Sequence, residues 1–438
     1  MFNIAENLNH FWDWISTLSL SSIVNTYWFL FYIEMPRYYI LEYLVIFWRL
    51  MDRNKREKEN EIAKFYLYRE NPLISILVPG KNEGKNIYKM VKSLNEQTYR
   101  NYEIIVVDDG SDDDTKLICT DLYRAKLITH YLRLEPRGGK AAASNYGAYM
   151  ARGKYIVSLD ADSSLDRDAL EKVLIPFYLD GEVKAVGGCI EGRNYKASIC
   201  SSLQAFEYLK RIQVGRIVTS ELGIYHIISG AFGAFETQTL KEVGYWDIGP
   251  GLDGDLTQKI RKAGYKVKFV DDAICMTNVP TKWYKLYHQR VRWSRSLVRF
   301  RLRKHIDILL PTKNWSILNW LSNMESVVFD CVFNFLWLGY MIQLAITFNT
   351  HIVDVLLLGY FIRVCLSQLA FILVLLVTER KKTAWFLYRF MPLMSPYTGY
   401  FLRFARLEAH LQELFFHTSY KDEWNPKKTS RYAQLEGI

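Results

Sequence analysis

Asp160 and Asp162 stand one residue apart at the end of an apolar run, Tyr155-Ile-Val-Ser-Leu-Asp-Ala-Asp162. Alternate residues of an extended chain face the same side, so both carboxylates can meet one ligand where the strand opens. Hard oxygen donors suit Mg²⁺ or Mn²⁺, ions that sit between one or two carboxylates and substrate phosphates. The stretch therefore reads as a metal–diphosphate site, with Asp162 and Asp160 as ligands. A polar strand-to-helix turn capped by Asp162 or Ser164 would use the same residues.

Five other stretches carry chemistry. Val78-Pro-Gly-Lys-Asn-Glu83 and Val106-Val-Asp-Asp-Gly-Ser111 each follow an apolar strand. A strand-end Asp can accept an N–H from a base such as uracil, or form an Asx-turn with Gly110. In Arg137-Gly-Gly-Lys140 the lysine can reach phosphate oxygens beside a glycine turn. Gly251-Leu-Asp-Gly-Asp255 offers a second carboxylate pair in a turn that opens a helix. There Asp255 reads as an N-cap or turn carboxylate rather than a catalyst. Gln289-Arg-Val-Arg-Trp293 lies on an amphipathic stretch.

The elements that must hold these groups follow from pattern. Leu73–Gly80 and Glu103–Val107 read as buried strands, with a helix over Asn86–Glu96 between them. A helix over Ala141–Arg152 leads to the strand before Asp160, and Val183–Gly188 and Lys266–Val270 are further strands. This β-α-β-α-β alternation predicts a mostly parallel sheet with helices on both faces. Such sheets bind ligands at the carboxyl ends of their strands.

Apolar residues make up 50% and aromatics 15% of the 438-residue chain, and the apolar ones concentrate at both ends. Ile23–Met51, interrupted by Glu34-Met-Pro-Arg37, predicts one kinked membrane span. Trp320–Phe348 and Ile352–Val377 predict two more. Ala384–Leu402 is a weaker third, because Arg389, Pro392 and Pro396 interrupt it. Trp283–His305 reads as an interfacial helix. The net charge of +10 sits beside apolar segments, as in Asp52-Arg-Asn-Lys-Arg-Glu-Lys58 and Glu379-Arg-Lys-Lys382. That is the positive-inside pattern, so the soluble part is expected in the cytosol. No clustered recognition motif supports a nucleic-acid binder. The six cysteines show no metal or disulfide spacing. Glu6 and Asp13, without a small-residue cleavage site, argue against a removed signal peptide. The expected division is a membrane segment over 1–60, a soluble domain over 61–282, an interfacial helix over 283–310 and a membrane region with a tail over 311–438.

In this order the motifs resemble the membrane-embedded, processive family-2 glycosyltransferases, which include cellulose, chitin, hyaluronan and poly-N-acetylglucosamine synthases. The match rests on Asp108/Asp109, Asp160-Ala-Asp162, Asp253 and Gln289-x-x-Arg292-Trp293, and covers roughly Leu73 to Arg303. The resemblance implies a GT-A-like α/β fold and an inverting transferase that extends a polysaccharide from a UDP-sugar. It implies Asp253 as general base. Asp108 or Asp109 would contact the nucleoside, and Lys140, Asp160, Gln289 and Arg292 the nucleotide-sugar, joined by Pro79, Asn82 and Glu83. Trp293, Ser229 and Gly230 would meet the acceptor, and Asp162 with Asp160 would hold Mg²⁺ or Mn²⁺. A bilayer and a growing glycan are the expected partners, with room for accessory secretion subunits.

The chemistry suits these types. Departure of UDP leaves negative charge that a cation and Arg292 stabilise. A hydroxyl needs a carboxylate within hydrogen-bond reach to become a nucleophile. Two features depart from the common pattern. Leu252 stands where an acidic residue usually precedes the base, and Arg292-Trp-Ser-Arg-Ser296 is nearer the hyaluronan synthase form. Two other readings use much of the same chain: a non-processive transferase acting on a lipid, like ceramide glucosyltransferases, and a catalytically silent polysaccharide-export scaffold.

Overall fold

The computed structural model describes residues 11–249, 251–311, 315–421 and 426–435. Glu6, the rest of the first ten residues and residues 422–425 of the basic tail lie outside them.

The apolar runs form the sheet that the pattern predicts. Its strands are β1 Ile74–Gly80, β2 Tyr102–Asp108, β3 His130–Arg133, β4 Tyr155–Leu159, β5 Ser164–Leu165, β6 Val183–Gly192, β7 Phe232–Glu236 and β8 Lys266–Thr277. Their spatial order is β3-β2-β1-β4-β7-β6-β8-β5. The β3-β2-β1-β4 half is parallel, and β6 runs parallel to β8. β7 enters antiparallel between β4 and β6. That insertion brings the turn before β7 to the carboxyl end of β4. In register, Gly80 faces Asp108 and Leu77 faces Ser158, so three loops open at one edge.

Side-chain alternation divides the core. Ile76, Val78, Ile104, Val106 and Val157 pack on one face with Ile87, Met90 and Leu94 of α1 (Gly84–Asn95). Leu77, Ile105, Val107 and Ile156 pack on the other with Ala141, Ala143 and Ala148 of α2 (Lys140–Met150). The small residues of α2 let it lie close: a Cβ on Gly147 would stand 2.1 Å from Leu77 Cδ1. Each buried Leu, Ile or Val contributes roughly 1.5–3 kcal/mol. These faces therefore fix where the strand ends lie.

The helices that complete the site follow: α3 Leu252–Lys262, α4 Trp283–Val298, α5 Ile352–Val377 and α6 Leu402–Phe416. A π-turn, Arg299–Lys304, continues α4. α4 packs along α6 through Val291, Ala405 and Ala409. Two helical stretches, Ile317–Thr347 and Asn349–Val377, are long and apolar enough to cross a membrane.

The N-terminal segment is helical, with π-turns at Phe29–Glu34 and Pro36–Ile40, but does not meet that test of apolarity. Glu34, Arg37 and Glu42 interrupt it. All three find partners: Glu34 with Arg363 (2.8 Å) and Arg403, Arg37 with Glu325 (2.5 Å), and Glu42 with Lys210. Its Tyr27, Phe29 and Leu30 pack with Trp337, Tyr340 and Leu344. Ala384–Leu402 does not form one helix. Lys381–Tyr388 stops at Arg389 and Phe390, and a second helix starts at Met391 beside Pro392 and runs through a π-turn at Tyr397–Phe401 into α6.

After α5 the chain is tied back to the sheet. Arg380 pairs with Asp166 at 2.7 Å and with Glu191 at 3.2 Å. Entry to β4 is also tightly specified. A Cβ on Gly153 would lie 2.5 Å from Ser75 N and 2.8 Å from Leu73 O, both backbone atoms that cannot step aside. Gly153→Ala should therefore lower the Tm of the detergent-solubilised chain, at a cost on the order of 1–3 kcal/mol. An unchanged melting curve would mean that β4 is not held by this contact.

Candidate functional site

The motif residues gather at the carboxyl edge of the sheet. Pro79 ends β1, and Asn82 adopts a left-handed φ of 60° in the loop that follows. That geometry lets the Asn82 N–H donate to Ser111 Oγ (2.9 Å) while Asn82 Oδ1 accepts from the Asp112 N–H (3.1 Å), joining the β1 and β2 loops. Glu83 accepts from Asn86 and lies near Asp160 and Asp162.

Asp108 and Asp109 are both buried. Asp108 accepts from the Ser111 N–H (2.8 Å), Tyr131 Oη (3.0 Å) and Arg133 Nη1 (2.5 Å). Asp109 accepts from the N–H groups of Gly138 (2.7 Å) and Gly139 (3.0 Å), and so shapes the glycine turn that starts α2. The sequence predicts an Asx-turn with Gly110 or a base contact here; the Asp108 carboxylate accepts instead from Ser111, three residues on, and Gly110 takes a left-handed φ of 66°. Thr429, in the helix Lys427–Leu435, donates to the Gly138 carbonyl at 3.4 Å, so the tail returns to this turn.

Lys140, first residue of α2, reaches Asp160 Oδ1 at 2.6 Å. Burial alone would lower its pKa, but the Asp160 and Asp253 carboxylates outweigh that and raise it, holding the ammonium charged. Arg292 acts on both Lys140 and Asp253. Asp160, Asp253, Lys140 and Arg292, far apart in the sequence, thus share one electrostatic neighbourhood. Asp162 is 3.5 Å from Thr277 Oγ1, with Arg193 nearby. Burial pushes Asp162 above the ordinary carboxylate range, and Asp160 adds to that push. Glu83 is raised for the same reasons, burial first. No group of three acidic, His or Cys side chains is preassembled as a metal cage among the described residues.

Asp253 is set by the turn before β7. A Cβ on Gly230 would lie 2.4 Å from Asp253 Oδ1, so glycine is what allows the carboxylate this close. The Gly230 N–H bonds Asp253 and, with Lys140, lowers its pKa, but burial is the larger effect and the net shift is upward. Ser229 lies in the same turn, accepting from Ala231 N–H (3.4 Å). On α4, Gln289 Oε1 is buried with no hydrogen-bond partner among the described residues. Trp293 is 39% exposed, and the Arg290 guanidinium lies 4.5 Å from its ring centroid. Arg290 in turn pairs with Glu207 at 2.9 Å. Trp293 lines a cavity of about 430 Å³ between α4, the N-terminal segment and the apolar helices that follow.

Asp255 does not cap α3, whose N-cap is Gly251. It is 3% exposed, 2.7 Å from His305 Nε2 and 2.6 Å from Lys304 Nζ. Lys304 also pairs with Asp247, which Lys259 of α3 meets at 2.9 Å. These bonds lock the helix carrying Asp253 to the end of the helix carrying Arg292 and Trp293. Sequence reading missed this because the partners lie about fifty residues apart with no local signature.

The sheet and its ligand edge define the GT-A class of nucleotide-sugar transferase folds. Among solved structures, the mannosyltransferase PcManGT from Pyrobaculum calidifontis, in complex with GDP-Man and Mn²⁺, matches with a TM-score of 0.58 at 19% identity, covering 86% of this chain and 99% of that one. At that identity the likeness is one of fold. Residues 75–244 match the family described as Glycosyl transferase family 2, and they form a family-2 glycosyltransferase domain. Poly-beta-1,6-N-acetyl-D-glucosamine synthase of Staphylococcus epidermidis is 34% identical over 222 residues, 50% of this chain and 53% of the synthase. The synthase of Staphylococcus aureus (strain COL) is 30% identical over 267 residues, 60% of this chain and 62% of its own. The alignments thus span about half to three fifths of the relatives' length.

The lock at Asp255 has a measurable sign. Burial alone would raise its pKa, but the His305 bond and the Lys304 charge bring it down to about 2. A carboxylate lowered from the ordinary ~3.9 contributes about 2 kcal/mol of stability above that value, lost as pH falls toward the folded one. Asp255→Asn should melt lower than the native chain at pH 7. It should also lose part of the native decline in Tm between pH 5 and pH 3. Parallel curves would mean that Asp255 carries no such load.

Proposed function

We propose that the chain is an inverting, membrane-embedded β-glycosyltransferase that extends a polysaccharide from a cytosolic UDP-sugar. The observation that carries this is the convergence of Asp253, Asp160, Lys140 and Arg292 at one strand edge, beside a cavity that begins at Trp293. Similarity to the staphylococcal synthases supports a glycan acceptor, and the solved mannosyltransferase's Mn²⁺ supports a divalent ion.

Asp253 is the base. Burial raises its pKa and makes it a better proton acceptor than an ordinary aspartate, while Lys140 and the Gly230 N–H act in the opposite sense. It takes the proton of the acceptor hydroxyl as that oxygen attacks the anomeric carbon from the face opposite UDP. A single displacement inverts the centre, so an α-linked donor gives a β-linked product. Arg292 and Lys140 neutralise charge on the departing diphosphate. Gln289 offers an unpartnered carbonyl oxygen to donor or acceptor hydroxyls. Trp293 presents a flat apolar face to the C–H face of the terminal sugar. Pro79, Asn82 and Glu83, with the Asp108–Asp109 loop, wall the nucleoside end.

Asp162, with Asp160, fits a Mg²⁺ or Mn²⁺ ion bound between protein and phosphates. Crowded acids at Glu83, Asp160 and Asp162 are offset only in part by Lys140 and Arg193. A bound cation would supply the missing positive charge to these acids and to the diphosphate. The soluble domain, about 61–282, stands on the cytosolic side. The helix near 283–310 lies at the interface, and the segments before and after span or line the bilayer. Glu325 and Asp330 border the Trp293 cavity, whereas Asn334 is buried against the Arg403 carbonyl. The cavity is the start of the product path, which accessory secretion subunits can extend.

Purified chain incubated with individual UDP-sugars should release UDP and accumulate polymer with one of them. Asp253→Asn should cut release by at least about 10²-fold while UDP still binds, consistent with loss of general-base catalysis. In the native chain the acid limb of the pH–rate profile should lie above the ordinary aspartate value. EDTA should stop release and Mn²⁺ or Mg²⁺ restore it, with Asp162→Asn needing more metal. Unchanged polymer synthesis by Asp253→Asn would remove the base assignment. Transfer of a single sugar to lipid would favour the non-processive reading.

A further inference from the structure

The cavity below Trp293 carries an unusual charge for a path between membrane helices. Eight Arg or Lys side chains line it against five carboxylates. Ion pairs account for much of this. Glu34 is shared by Arg363 and Arg403, Glu42 meets Lys210, Glu325 meets Arg37, and Asp330 faces Arg211 (2.7 Å) and Arg406 (4.0 Å). Several cations share a carboxylate, and Arg216 pairs with none among the described residues, so positive charge is in excess.

A second observation points the same way. Arg37 Nη1, Arg216 Nη1, Arg290 Nε and Arg403 Nε all belong to the lining, are buried and have no hydrogen-bond partner among the described residues. Guanidinium nitrogens only donate. A buried donor without a partner costs about 1–3 kcal/mol, so this surface suits a ligand rich in acceptor oxygens and negative charge. The cations also run the length of the cavity, from Arg290 beside Trp293 to Arg363 and Arg403 at the level of the membrane helices. An acyl chain would leave the deep charges unmatched. A sugar chain with repeated carboxylates would meet them at each level.

We propose that the cavity receives an acidic glycan, with hexuronate rings along the chain and its terminal ring at Trp293. This rests on the acceptor reading above and departs from the N-acetylglucosamine polymer for which the staphylococcal relatives are named, since that sugar bears no ionised group. The carboxylates of the entering chain compete with Glu42 at Arg37 Nη1 (3.7 Å) and meet no ion pair at Arg216 among the described residues. They accept from the unpartnered guanidinium nitrogens and balance the excess charge. Arg216 sets the preference, as the one lining arginine without a carboxylate of its own among the described residues.

The test uses the full chain carrying Asp253→Asn, in phosphatidylcholine nanodiscs with no donor present, so that it does not depend on transfer. Binding of a fluorescent glucuronate-containing tetrasaccharide is compared with that of an N-acetylglucosamine tetrasaccharide. We expect the acidic one to bind about tenfold tighter or more at low salt, with the gap narrowing as salt rises. Adding Arg216→Gln should shrink the gap about threefold or more, and Arg216→Lys should retain it. Equal or tighter binding of the neutral tetrasaccharide overturns the proposal. So does a preference that survives Arg216→Gln. Phosphatidylglycerol nanodiscs form the third arm: full displacement of the acidic tetrasaccharide by that lipid would assign the cavity to lipid phosphate instead. Failure of the function reading itself would appear separately, as no UDP release from any UDP-sugar by the native chain.

Discussion

Four carboxylates, Glu83, Asp160, Asp162 and Asp253, are held in a shielded cleft where like charges repel strongly. Most of the site's architecture answers that problem. Lys140 bonds Asp160 directly and, with Arg292, acts on Asp253. The balance is incomplete: burial first, and neighbouring carboxylates after it, raise the pKa values of Glu83, Asp162 and Asp253. An apparent defect is useful here. Under the function proposed above, a base must be somewhat reluctant to stay charged, and a phosphate-bound cation would be drawn to a surplus of negative charge.

Holding that balance requires strands, turns and two helices in fixed relation. β4 delivers Asp160 and Asp162, and the β7 insertion delivers the Gly230 turn that admits Asp253. The Asp255–His305–Lys304 bonds then fix α3 against the end of α4. Asp253, Arg292 and Trp293 come from remote positions, yet each is located by a short chain of contacts. The charge of the cavity at Trp293 continues the same pattern, with arginines shared among fewer acids.

Local signals made much of this legible in the sequence. Apolar runs with β-branched residues gave the strands, and the ordered acidic motifs marked the strand ends. The Ile352–Val377 helix agreed in both bounds because a long apolar run carries it past Asp354 in its first turn and Arg363 in its middle. What stayed hidden was non-local. The antiparallel entry of β7 has no mark in its own residues. Asp255 looked like a helix-start carboxylate because helix-start carboxylates are common, and its true partners become neighbours only after folding. The N-terminal segment misled in another way. Its acids and bases read as interruptions of a span, whereas each is matched by a charge from a distant helix.

Arg380, pinned by Asp166 and Glu191 just after α5, bears on how force travels through the molecule. With that guanidinium clamped beside β5 and to β6, a load on the helix Ile352–Val377 is passed to the strands directly instead of being absorbed in the connection that follows it. The tether thus works as a rigid coupling between an apolar helix and the sheet.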